Sequence, residues 1–249
     1  MSIYIKNKPE INLMRTCGKI HALIFKALEK KINPGISTQE LDNEAQKLCK
    51  KFKVKASFLG YHGFPASICT SVNEEVVHGI PKKEKILKIG DIISIDLGIF
   101  YQGFHTDGCK TFAVGDISKE NQKLLKVTKK ALFNAIAKIK ANIPLSSISK
   151  EIQKTAEKEK LNIVKNLTGH GIGKALHEKP QILNFYLPDD NDIILKAGMT
   201  LAIEPILIQG QDKIFTLKDK WTIISKDKSL SAHFEHTVLV TDKGSEILT

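Results

Sequence analysis

Apolar positions near the start of the chain recur at helical spacing. Ile11, Met14, Gly18, His21, Ile24 and Leu28 mark one face of a long helix. Asn33-Pro34-Gly35 is a strong breaker and ends it. Ser37 with Glu40 then forms a capping-box signature for a shorter helix carrying Leu41, Ala45, Leu48 and Phe52. The same order of events returns later. Leu125, Leu132, Ile136 and Ile139 mark a long helix, Pro144 breaks it, and Ile148, Ile152 and Ala156 mark a shorter one. Between and after these helices, β-branched and alternating segments predict strands at 92–101, 109–114, 199–208, 221–225 and 236–240.

The strand segments repeat a motif. Leu87-Lys88-Ile89-Gly90 leads through four residues to Ile95-Asp96, and Leu195-Lys196-Ala197-Gly198 leads through four residues to Ile203-Glu204. His78-Gly79-Ile80 precedes the first copy and His170-Gly171-Ile172 the second. A second carboxylate follows each copy, Asp107 in one and Glu235 in the other. The expectation is one catalytic domain over 1–249, made of half-repeats of roughly 1–115 and 116–249. Each half is α+β, the two are related by a pseudo-two-fold, and strands lie in the middle with helices outside. Unequal spacings leave chance similarity of two βα pieces as the alternative.

Composition changes this picture little. A 42% hydrophobic and 26% charged share is that of an ordinary globular protein. Apolar runs fall far short of a membrane span, so no membrane association is expected. The opening Met1-Ser2-Ile3-Tyr4-Ile5-Lys6 has no apolar core followed by a small-residue cleavage site, and a cytoplasmic location is expected. Cysteines 17, 49, 69 and 109 are too scattered for a zinc ribbon or a disulfide framework, and read as reduced core thiols. The net charge of +11 suggests nucleic acid, but Arg15 is the only arginine among 38 basic residues. Base readout leans on arginine's two-pronged fork, whereas lysine acts mainly as a solvated point charge. The charge predicts at most a weak, salt-sensitive attraction to a ribosome surface.

The repeat implies chemistry. Halves meeting at a shared sheet bring Asp96, Asp107, Glu204 and Glu235 together, joined by His170. Most acidic residues are solvated surface charges. Asp96 and Glu204 resist that reading because each sits in a strand of isoleucines. Four converging carboxylates strand buried charge, and two divalent cations cancel it. An oxygen-rich set with one imidazole suits Mn²⁺, Fe²⁺ or Co²⁺, with Zn²⁺ allowed. Such pairs of ions share a water of lowered pKa, a nucleophile at neutral pH. His78 and His177 carry the right chemistry to hydrogen-bond a peptide carbonyl, although a lone histidine more often makes a structural hydrogen bond. Gly169-His170-Gly171-Ile172-Gly173-Lys174 imitates a phosphate loop, yet Ala175 stands where a P-loop needs Ser or Thr. No zincin helix, nucleophile elbow or Ser/Lys pair is present.

From about Ile11 to its end, the chain resembles the type I methionine aminopeptidases, members of the pita-bread (creatinase/aminopeptidase) fold with a curved antiparallel sheet. The resemblance rests on 59–65 (Leu-Gly-Tyr-His-Gly-Phe-Pro), Asn73-Glu74, His78-Gly79-Ile80-Pro81, Asp96, Thr106-Asp107, the 169–173 segment, His177-Glu178, Ile203-Glu204-Pro205 and Glu235-His236-Thr237. It implies that Asp107 and Glu235 bridge two ions, that Asp96 chelates one, and that His170 and Glu204 hold the other. Glu204 would also assist proton transfer. His78 and His177 would bind the substrate's peptide group, with His62 nearby. The methionine pocket would be Phe58, Tyr61, Phe64, Cys69, Leu176 and Trp221. Phe58, Phe64 and Leu176 depart from the Cys, Tyr and Phe common at those places, and all stay apolar. The resemblance also implies a structural monovalent cation near Asn73 and Ser231. The substrate would be the N-terminal methionine of nascent proteins with small second residues, acted on by a monomer.

Three other readings compete. A proline-specific aminopeptidase shares the carboxylates but usually carries a further N-terminal domain. A metal-free relative acting as a binding module lacks some of the ligands, whereas all five residues are here. A lysine-rich RNA-binding protein has charge as its only argument.

Overall fold

The computed structural model describes residues 3–188 and 192–249. Met1 and Ser2, the start of the stretch read for a leader, lie outside the described residues. Helix α1 spans Lys8–Glu29 and α2 Thr38–Phe52. Both open on reciprocal capping boxes: Ser37 with Glu40 for α2, as the sequence predicts, and Asn7 with Glu10 for α1, which it does not. Strands β1 (Lys55–Ala56), β2 (Cys69–Val72), β3 (Glu75–Val77), β4 (Ile92–Tyr101) and β5 (Phe104–Ala113) follow. Helices α3 (Lys119–Ile136) and α4 (Ser146–Lys158) precede β6 (Asn162–Ile163), β7 (Thr168–Gly171), β8 (Glu178–Leu183), β9 (Thr200–Ile203) and β10 (Ile206–Ile208). The last strands are β11 (Ile214–Thr216), β12 (Ile223–Ser225), β13 (Ser231–His233), β14 (His236–Val240) and β15 (Ser245–Ile247).

Strand pairing among the described residues is antiparallel. One sheet is built on the long β4–β5 hairpin with β1 and β2, and another runs β15-β14-β9-β7-β8. Two three-stranded sheets, β13-β10-β6 and β11-β12-β3, complete the set. Each pair of helices covers its own core. Cys17, Ile24, Leu28, Leu41 and Ala45 pack on Ile93, Ile95 and Leu97 of β4. Leu124, Ala131, Ile148 and Ile152 pack on Leu201, Ile203 and Val238 of β9 and β14.

Several sequence expectations shift. The core face of α3 is set by Leu124, Val127 and Ala131, which leaves Leu125 at its margin and Ile139 beyond the helix end. The strand expected at 109–114 begins five residues earlier, at Phe104, because the whole segment pairs residue for residue with β4. The apolar run 199–208 is two strands. Pro205 has no N–H for a ladder, and the chain crosses there from the sheet of β9 to that of β10.

Two cross-links join the halves. The Asp107 N–H donates to Thr237 Oγ1 and the Thr237 hydroxyl donates to the Asp107 carbonyl, each at 2.8 Å. The Glu235 N–H donates to the Cys109 carbonyl at 2.8 Å. The C-terminal segment reinforces this seam: the Leu248 N–H donates to the Thr237 carbonyl at 2.9 Å. Gly18 of α1 lies flush against it, and a Cβ there would overlap the Leu248 carbonyl. Gly18→Ala is therefore expected to lower stability by about 1–3 kcal/mol, the usual range for overpacking. Urea denaturation checks this, with the midpoint falling at an unchanged slope.

Candidate metal centre and substrate cavity

The strand registers alone bring the acidic residues together. In the hairpin, Asp96 pairs with Cys109 and Gly98 with Asp107, so Asp96 and Asp107 are diagonal neighbours on one face. Glu204 follows β9 at the crossing into β10, and Glu235 lies at the matching crossing between β13 and β14. Since β9 pairs with β14 and β10 with β13, these two crossings form one corner between sheets. The Cys109–Glu235 backbone bonds dock the hairpin onto that corner. His170 arrives from β7, which pairs with β9 opposite Ala202.

Asp107, Glu235 and His170 are buried, while Asp96 and Glu204 keep a sliver of surface on the cavity. Ligand atoms of Asp107, His170 and Glu235 all lie within 4.8 Å of one another. His170 Nε2 is 3.6 Å from Glu204 Oε1. Among the described residues, no lysine or arginine lies within ion-pair reach of these four carboxylates. Without a cation the charges are untenable. Burial pushes the Asp96 carboxyl up to about 7. Burial and then the neighbouring acids push Asp107, Glu204 and Glu235 well above the usual carboxylate range. Burial likewise holds His170 down at about 3, a neutral imidazole with a free nitrogen lone pair. Asp96 Oδ1 and Glu235 Oε1 are buried without a hydrogen-bond partner. Orphaned oxygens, mutually repelling carboxylates and a neutral imidazole fit divalent cations.

The centre forms part of the wall of a cavity of about 480 Å³. All fourteen residues singled out from the sequence line it: Phe58, Tyr61, His62, Phe64, Cys69, His78, Asp96, Asp107, His170, Leu176, His177, Glu204, Trp221 and Glu235. Phe64 meets Phe58 and Trp221 edge-on, with ring centroids at 6.5 and 5.1 Å. Cys69, a free thiol, and Leu176 are buried beside them. Tyr61 and His62 stand on a turn flanked by Gly60 and Gly63, both at positive φ, and His62 itself has φ 48°. The Tyr61 hydroxyl lies 2.8 Å from His177 Nδ1, and the His177 and His170 rings are 4.4 Å apart. His78 faces Trp221, and burial lowers it to about 4. Asn73 and Ser231 are also neighbours, the Ser231 N–H donating to the Asn73 carbonyl at 3.2 Å.

One histidine of the cavity is not predicted from the sequence. His233 is buried, its Nε2 lacks a partner, and it lies 3.6 Å from Glu204 Oε2 and 3.8 Å from Glu235 Oε2. Burial holds it at about 3. It ends β13 two residues before Glu235, and that nearness is its only sequence signal.

A mixed α+β fold whose sheets close on a carboxylate-lined, histidine-bearing cavity has the ligand set of a metal-dependent enzyme. The chain belongs to metallopeptidase family M24, whose model matches residues 12–242. Its fold is the pita-bread fold of that family. It is 45% identical to a methionine aminopeptidase of Clostridium acetobutylicum, over 99% of this chain and 98% of that protein. It is 47% identical to methionine aminopeptidase 1 of Bacillus subtilis, over 99% of each. The crystal structure of methionine aminopeptidase from Thermotoga maritima superposes with a TM-score of 0.97 at 42% identity, covering 100% of this chain and 99% of that one.

The raised carboxyl pKa values fix a pH dependence. A group whose folded pKa exceeds its unfolded value stabilises the fold when protonated, and that contribution fades as pH climbs between the two values. The stability of chelated protein relative to its Asp96→Asn variant should therefore fall as pH rises from about 4 to about 7, the interval spanned by Asp96. Glu235→Gln removes a carboxyl that without cations must either stay charged or take up a proton on burial, and should raise the Tm of chelated protein at pH 8 by several degrees, about 2–4 °C per kcal/mol. A thermal melt in which chelated parent and variant coincide would contradict this.

Proposed function

We propose that this cavity is the active site of a methionyl aminopeptidase, a metallo-exopeptidase that hydrolyses the first peptide bond after an N-terminal methionine. The observation that carries the reading is the union, in one cavity, of five ion-binding side chains and an aromatic, sulfur-edged slot. Full-length identity to methionine aminopeptidases supports the same reading.

Asp107 and Glu235 would hold two divalent ions in common, Asp96 would complete one site, and His170 with Glu204 the other. When bound, such ions supply Lewis acidity and lower the pKa of water. An unbranched thioether suits Phe58, Tyr61, Phe64, Cys69, Leu176 and Trp221, since aromatic edges and polarizable sulfur attract each other. That slot anchors the methionine and sets the register of the peptide against the centre. The Tyr61 hydroxyl occupies His177 Nδ1 and leaves Nε2 to donate to the scissile carbonyl, with His78 on the peptide from the side of Trp221. Glu204, on the cavity wall beside the other ligands, would also carry a proton to the departing amine. Mn²⁺, Fe²⁺, Co²⁺ and Zn²⁺ all suit this ligand set. A monovalent cation on backbone carbonyls near Asn73 and Ser231 belongs to the same reading. The substrates are N-terminal Met peptides of nascent proteins, met in the cytoplasm by a monomer whose lysines favour the ribosome surface. No described helix is long and apolar enough to cross a membrane.

The test incubates the protein with Met-Ala-Ser and with Ala-Pro-Ala, in Mn²⁺ or Co²⁺ and again with chelator. Methionine release abolished by chelator is expected. Cleavage only before proline, or no turnover with any metal, would overturn the reading. Asp107→Ala and Glu235→Ala should each abolish turnover and bring bound metal below two ions per chain. His177→Ala should cut kcat by about 10²-fold with metal content intact, the scale of losing one transition-state donor. Metal loss in that variant would place His177 among the ligands instead.

A further inference from the structure

The chain buries a lysine beside the substrate cavity. The Lys6 side chain is only 1% exposed, and its Nζ donates to Glu178 Oε2 at 2.8 Å across 172 residues of sequence. Burial lowers the Lys6 ammonium, and its bond to Glu178 opposes that. Glu178 is the residue after His177, and its other oxygen, Oε1, accepts the Ala175 N–H at 3.0 Å. One carboxylate thus closes the turn 175–178 and ties it to the N-terminal segment. Gly173 opens that turn, and a Cβ there would overlap Lys6 Cε. The Gly173 carbonyl accepts the His105 N–H at 2.7 Å, which pins the other end of the turn to β5. Lys6 is itself fixed, its N–H donating to the Gly198 carbonyl at 2.9 Å just ahead of β9.

A buried ion pair is a poor way to gain stability. Desolvation consumes most of its Coulombic gain, and apolar residues of similar volume often serve as well or better. What a buried pair supplies is direction: two charged hydrogen bonds admit one geometry, where two leucines admit several. Here the fixed geometry belongs to the turn that presents His177.

We infer that Lys6 is a positioning residue for catalysis: through Glu178 it braces the 173–178 turn so that His177 meets the scissile peptide. This rests on the substrate role proposed above for His177. A second link between the same segments is open to solvent, with Lys174 3.1 Å from Glu10 Oε1 and 2.8 Å from the Tyr4 hydroxyl. Exposed pairs hold geometry weakly, so this one adds little.

A double-mutant cycle tests the brace. Parent, Lys6→Met, His177→Ala and the double variant are assayed on Met-Ala-Ser for kcat and KM, with bound metal and Tm measured for each. Lys6→Met should lower kcat at least fivefold in the parent, with KM and metal content within twofold. In the His177→Ala background the same change should alter kcat less than twofold, because the group it positions is gone. Lys174→Ala should leave kcat within twofold of the parent. A fall in kcat for Lys6→Met of less than fivefold, or an equal fall in both backgrounds, overturns the inference. If Lys6→Met does not fold, Glu178→Gln, which keeps the volume and loses the charge, replaces it in the same cycle with the same thresholds. If His177→Ala itself keeps full turnover, the role given to His177 fails first, and that result is distinct from a flat response to Lys6→Met.

Discussion

Four carboxylates share one buried centre, and among the described residues no lysine or arginine neutralises them. Everything around that centre is arranged as if positive charge arrives from outside the polypeptide. Removing several carboxylates from water without a partner is far more costly than a domain's whole net stability, so the folded chain without cations must hold protons there instead. The raised pKa values of Asp96, Asp107, Glu204 and Glu235 are the same fact in another form. Stability is given up at the place where function needs convergent ligands, and two separate hydrophobic cores make up the difference.

The backbone delivers those side chains with few degrees of freedom. The β4–β5 hairpin fixes Asp96 and Asp107 by register, and a one-residue slip would turn both away from the cavity. Glu204 and Glu235 depend on two strands changing sheets at one corner, where Pro205 interrupts the ladder. The seam through Thr237, Asp107, Cys109 and Glu235 sets the distance between hairpin and corner. Metal binding and the joining of the halves are therefore one structural problem, since the residues that tie the seam are, or adjoin, those that face the cavity.

Features written in local sequence were legible. The Ser37–Glu40 capping box and the 92–101 and 236–240 strands stand where the pattern puts them. The fourteen site residues came from paired motifs and a family resemblance, and they share one cavity. Features set by distant partners were not legible. The extra residues of β5 are a strand only because β4 lies beside them. The 199–208 run looked continuous because hydropathy does not report which sheet a strand joins. His233 carries no local signal, because its place is set by Nε2 lying between Glu204 and Glu235. Lys6 was one lysine among many, and nothing in its neighbours points to a carboxylate 172 residues away.

The account stands on cations occupying the space that Asp96, Asp107, His170, Glu204 and Glu235 enclose. Anomalous diffraction at the manganese edge, from crystals of this protein equilibrated with Mn²⁺, tests it most directly. The account predicts a pair of peaks inside the cavity, bonded to those five side chains and sharing Asp107 and Glu235 between them. Peaks confined to surface carboxylates, with the five side chains left empty in the presence of the ion, would contradict it.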